Sequence, residues 1–118
     1  MTTIDLFRNE TDFRTVPPGT TIFSAGDPGE EMYVILEGEV ELSIHGKLVE
    51  TLGVGEIFGE MALIDSSPRV ASAVARTTCK LVPVSQKRFL FMVQQTPHFS
   101  LQILRVVTER LRRMDEKL

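Results

Sequence analysis

Tryptophan is absent from the 118 residues, tyrosine and cysteine occur once each, and histidine occurs twice. With Cys79 as the one cysteine, an intramolecular disulfide and a multi-thiolate metal site are both excluded, and a reducing compartment is the expected setting. His45 stands beside Gly46 in a hairpin turn and His98 follows Pro97 at a helix start. Two histidines in unrelated turns cannot build the multi-histidine metal centre of a barrel enzyme. No Ser/His/Asp or Cys/His arrangement is apparent, so an enzyme is not expected and no cofactor is called for. Excess positive charge is also lacking: 13 Lys and Arg against 16 Asp and Glu leave a net charge of -3, which excludes a long-range field for nucleic acid. No apolar run approaches the length that spans a bilayer, and the N-terminus lacks a basic-then-apolar signal pattern. The expectation is a cytoplasmic protein with no membrane span and no direct nucleic acid binding.

What is present supports one core. A hydrophobic content of 42% in a chain of this length fits a single domain over residues 1–118. Turn signals recur through the first two thirds, among them Pro17-Pro18-Gly19, Gly26-Asp27-Pro28-Gly29, Glu37-Gly38, Gly53-Val54-Gly55 and Ser66-Ser67-Pro68. Short apolar or alternating runs at 20–24, 32–36, 40–44, 48–52, 71–76 and 80–84 read as strands. Many short strands separated by glycine turns predict a mainly β fold, a jelly-roll barrel over about residues 15–84 with flanking helices.

The hydrophobic period then changes. Ser85 is a candidate N-cap for a helix that ends ahead of Pro97, because proline disfavours helical geometry in the residue before it. A second helix begins near Pro97 and completes a C-terminal helical region over about 85–118. Leu104, Val107, Leu111, Met114 and Leu118 follow one another at intervals of three and four, which predicts a seam that serves either a homodimer or the barrel of the same chain. Ile103 and Val106 lie off that seam and suit the barrel. Arg105, Arg110, Arg112, Arg113 and Lys117 are interleaved with Glu109, Asp115 and Glu116, the pattern of a solvated helix face.

The chemistry concentrates in Phe58-Gly59-Glu60-Met61-Ala62-Leu63-Ile64 and the following Asp65-Ser66-Ser67-Pro68-Arg69-Val70-Ala71. A glycine opening a helical turn presents free amides and a positive dipole end to an anion. Arg69, after a proline-stiffened turn, offers a planar fork to phosphate oxygens. Glu60 repels an anion but accepts from a neutral hydroxyl, so the pair together suits a ribose phosphate.

These residues resemble the phosphate-binding cassette of cyclic-nucleotide-binding domains. The resemblance extends to 22–29, to Met32-Tyr33-Val34-Ile35-Leu36-Glu37-Gly38-Glu39-Val40 and to the closing helices. The family includes catabolite-activator-type regulators, regulatory subunits of cyclic-AMP-dependent kinase and cyclic-nucleotide-gated channels. The resemblance implies a jelly roll with a short cassette helix and terminal helices that move on ligand binding. It also implies Glu60 on the ribose 2′-hydroxyl, Arg69 on the phosphate, backbone amides of Gly59 and Val70 or Ala71 beside it, and Phe58, Met61 and Ala62 around the pocket. Many members of that family carry a small or hydroxyl residue where this chain has Val70, and a hydroxyl there often favours cyclic GMP. Valine therefore points toward cyclic AMP, whereas Asp115 and Glu116, placed where helices of the family meet the purine, would accept from guanine. The expected function is a regulatory sensor of cyclic AMP, with cyclic GMP second, signalling to a second subunit or to an effector protein the sequence does not identify. The alternative is an orphan jelly roll without ligand that serves dimerisation or docking.

Overall fold

The computed structural model describes residues 6, 7 and 9–117. Among the described residues, eight strands and three full helices follow in the order β1 (Arg14–Val16), β2 (Thr21–Phe23), β3 (Glu31–Glu37), β4 (Val40–Ile44), β5 (Lys47–Leu52), β6 (Ile57–Phe58), α1 (Glu60–Asp65), β7 (Ser72–Ala75), β8 (Cys79–Ser85), α2 (Gln86–Gln95) and α3 (Pro97–Lys117). The strands form two antiparallel four-stranded sheets, β1-β8-β3-β6 and β2-β7-β4-β5. This is the mainly β jelly roll with a short helix and C-terminal helices that the sequence predicts.

Alternation positions β4, where Val40, Leu42 and Ile44 are buried while Glu41 and Ser43 are not. The central strand β3 instead buries four residues in a row, Met32 to Ile35. Tyr33 and Ile35 face the core between the sheets, with Leu52, Phe58, Ala73 and Leu81. Met32 and Val34 face a second core, where Phe89 of α2 and Phe99 and Ile103 of α3 cover the outer side of the sheet. A strand buried on both faces reads as a continuous apolar run. Two strands escape the sequence reading. β1 is polar and only three residues long, and the two residues of β6 are too few to show any period. Cys79 is fully buried at the start of β8.

Ser85 does cap α2, its hydroxyl accepting from the Arg88 amide at 3.2 Å, and α3 starts at Pro97. The seam on α3 divides. Val107 packs on the helical core and Met114 enters the core between the sheets, while Leu104 and Leu111 are exposed. Leu118 lies outside the described residues. The helix is rotated so that Ile103, Val107, Arg110 and Met114 face the same chain, and a third exposed leucine, Leu101, joins Leu104 and Leu111.

Gly38, between β3 and β4, has φ +94°, and a Cβ on it would stand 2.4 Å from the Thr78 carbonyl oxygen. Gly38→Ala is therefore expected to lose about 1–3 kcal/mol from backbone strain and more from the collision. Denaturant unfolding of the variant reads this directly, and an unchanged midpoint would show that the turn relaxes freely.

Candidate ligand-binding site

Between the sheet of β2 and β4, the 59–71 segment and the end of α3 lies a cleft with an empty volume of about 340 Å³, part of it open to solvent. Its floor is laid down by local chain geometry. Gly59 takes φ +82°, a left-handed conformation that lets the chain turn from β6 into α1. A Cβ there would stand 2.7 Å from a terminal nitrogen of Arg69, so the glycine also clears space for that side chain. Arg69 is tied to the 26–27 turn from both sides, its amide donating to Asp27 O at 2.8 Å and its carbonyl accepting from the Gly26 amide at 2.8 Å.

The Arg69 side chain is only 7% exposed. Its Nη1 donates to Gly59 O at 2.7 Å and its Nη2 to Glu31 O at 2.5 Å, and the guanidinium lies 4.1 Å over the Phe23 ring. Its Nε–H has no partner, the one such buried side-chain polar atom among the described residues. A buried N–H left unpaired costs free energy that an acceptor in the cleft would recover. Burial lowers the Arg69 pKa from its ordinary value.

Glu60, the first residue of α1, is 1% exposed, and the sequence misses what meets it there. Arg110 of α3, read above as part of a solvated face, is buried and donates from Nη1 to Glu60, from Nη2 to Ile57 O at 2.8 Å and from Nε to Glu50 at 3.0 Å. The charge pattern of the helix conceals this, because interleaved signs do not say which face is docked. The signal was the spacing: Arg110 occupies the stripe of Ile103, Val107 and Met114, where an apolar residue is expected.

The structure brings Gly59, Glu60, Met61, Ala62, Arg69, Val70 and Ala71 to the cleft wall, joined by Phe23, Leu42, Arg110 and Met114. Phe58 is not there. It is fully buried behind the wall, its ring 5.2 Å from Tyr33 and 5.8 Å from Phe23, because it pairs opposite Tyr33 of β3 and shares that residue's inward face. Asp115 and Glu116 are exposed and line no part of the cleft, since the turn of α3 that reaches it presents Met114 instead. Among the described residues no group of His, Cys, Asp and Glu could hold a metal, and no helix is long and apolar enough to cross a membrane.

Burial pushes the Glu60 carboxyl above its ordinary 4.5, against the opposing pull of Arg110. A carboxyl whose folded pKa is raised contributes stability below its unfolded value and loses it as pH rises through the folded value. Ligand-free wild type is therefore expected to lose stability relative to Glu60→Gln as pH rises from about 4.5. Thermal melts at a series of pH values check this, and parallel pH courses for the two proteins would contradict it.

Residues 13–96 match the family described as the cyclic nucleotide-binding domain. The CRP-like cAMP-activated global transcriptional regulator of Mycobacterium tuberculosis is 32% identical over 107 residues, covering 86% of this chain and 48% of that protein. The crystal structure of the Thermus thermophilus catabolite activator protein superposes with a TM-score of 0.82 at 32% identity, over 98% of this chain and 56% of that one. A cyclic nucleotide-gated potassium channel of Mesorhizobium japonicum is 35% identical over 97 residues, 82% of this chain and 27% of the channel. The chain thus spans about half the length, or less, of these relatives. A family match over the whole barrel, together with a glycine-opened cassette helix and a buried arginine and a buried glutamate lining one cleft, places this chain in the cyclic nucleotide-binding domain family.

Proposed function

We propose that the domain is a non-enzymatic sensor that binds a cyclic nucleoside monophosphate in the cleft, cyclic AMP more tightly than cyclic GMP. One observation carries this reading: a buried arginine with an unpaired Nε–H and a buried carboxylate line the same small cleft. Arg69 supplies the charge for the phosphate and Glu60 the acceptor for the 2′-hydroxyl. Beyond Glu60, Arg69 and Arg110, the side chains on the cleft are apolar, Leu42, Met61, Val70 and Met114 among them. Guanine carries more donors than adenine, and donors buried without partners cost free energy, so the apolar wall favours adenine. The relative from Mycobacterium tuberculosis is itself described as cAMP-activated, which supports the same choice.

The signal passes through α3, which sends Arg110 and Met114 into the cleft. A ligand that is bound better with this helix docked than lifted shifts the equilibrium between the two arrangements, and an effector or a second subunit reads the shift. The exposed leucines 101, 104 and 111 offer α3 a surface for that second subunit.

Calorimetric titration with cyclic AMP and cyclic GMP tests the ligand reading. Wild type is expected to bind both, cyclic AMP the tighter. Arg69→Ala is expected to weaken binding at least about a hundredfold, because charge-assisted hydrogen bonds are worth about 1.5–3 kcal/mol each and 1.4 kcal/mol is tenfold. Absence of heat from folded wild type would move the weight to the orphan docking domain. Sedimentation tests the second subunit: wild type is expected to be dimeric and Leu104→Glu/Leu111→Glu monomeric, and a monomeric wild type would remove the dimer.

A further inference from the structure

The antiparallel register pairs Val40 with Leu52 and Leu42 with Glu50. Residues directly opposite one another project to the same face, and Val40, Leu42 and Leu52 all belong to the core between the sheets. Glu50 therefore shares the face of Leu42 and Leu52, beside a register irregularity at which the neighbouring Val49 also enters that core. The Glu50 side chain is 8% exposed. A carboxylate removed from water in this way is tolerated only when it is paired.

Two arginines of one helix pair Glu50. Arg110 Nε donates to one carboxylate oxygen at 3.0 Å, and Arg113, one turn further along α3, donates to the other. The other two nitrogens of Arg110 donate to Glu60 and to Ile57 O. Glu50 is thus linked through a single guanidinium to the carboxylate of the cassette, although it lines no part of the cleft itself.

We infer that Glu50 is a positioning residue: it holds α3 in its docked place over the cleft and thereby sets the affinity for ligand. When α3 lifts, Glu50 regains water while Arg110 gives up Glu60 and Glu50 together, so the contacts among β5, α1 and α3 form and break as one set. A glutamine at position 50 keeps the size but offers one neutral acceptor to two guanidinium groups and turns its own N–H donors toward one of them. The helix end is then held less well, and apparent affinity falls with the fraction of molecules that have it docked. The affinity part of this inference rests on the nucleotide reading above. The docking part does not.

The experiment compares wild type, Glu50→Gln, Arg113→Gln and the double variant by amide hydrogen exchange without ligand and by titration with cyclic AMP. Arg113 is half-exposed, so its variant is the gentler of the two and retains the Arg110 contacts. Both single variants are expected to exchange faster in the second half of α3 with β3 and β8 unchanged, and to bind cyclic AMP about tenfold more weakly, the loss of about one charged hydrogen bond. The double variant is expected to be no weaker than Glu50→Gln, because both arginine contacts converge on that one carboxylate. Unchanged exchange in α3, or acceleration by the same factor in β3 and β8, overturns the inference whether or not nucleotide binds. Unchanged affinity, in a protein whose wild type binds, overturns its affinity part. Faster exchange in α3 with no binding by wild type would instead leave the docking role standing and remove the nucleotide reading.

Discussion

Arg110 and Glu60 leave water together, and neither can do so alone. Stripping an ion of its hydration costs several kcal/mol even after the protein relaxes, and removal of one partner leaves the other uncompensated. Arg110 is consequently found with each of its three nitrogens engaged, to Glu60, to Ile57 O and to Glu50. That requirement ties α3 to the cassette helix and to β5 at one point, where a purely apolar contact would have allowed the helix to slide. The position of the terminal helix relative to the cleft follows from where these charges can meet.

Arg69 satisfies its own burial differently. Two backbone carbonyls hold its terminal nitrogens and the Phe23 ring lies under its plane. These contacts lock the fork in place before any ligand arrives, and they leave Nε without an acceptor. Preorganisation of this kind lowers the ordering cost of binding, since the side chain has little freedom left to lose. The cleft therefore contains one arginine from the cassette, held by backbone carbonyls, and one from α3, held by carboxylates and the Ile57 carbonyl.

The barrel supplies the rigidity on which both depend. β3 and β8 are covered on one face by the second sheet and on the other by α2 and α3, so the sheet that carries β6 into the cassette is clamped on both sides. Phe58 shows how the two regions join. It is the last strand residue before Gly59, and its ring anchors the start of the cassette to Tyr33 and Phe23 rather than touching the cleft.

The amino-acid sequence by itself determined the features that depend on local pattern. Glycine turns and alternating runs marked six of the eight strands, Ser85 and Pro97 bounded the helices, and the spacing from Gly59 to Arg69 marked the cassette. β1 and β6 stayed invisible because a strand of two or three residues acquires its identity from its partner, not from its own period. Tertiary structure alone decided which face of α3 turns inward. A helix that carries leucine at 101, 104 and 111 and a second stripe at 103, 107, 110 and 114 has two faces with apolar character, and periodicity cannot choose between them. The same rotation of the helix buries Phe99, Ile103 and Met114 and brings Arg110 to Glu60 and Glu50, residues that lie 50 and 60 positions away in the chain. Contacts over that separation leave no trace in any local window, which is why the arginine that completes the cleft reads in the sequence as one more solvated cation.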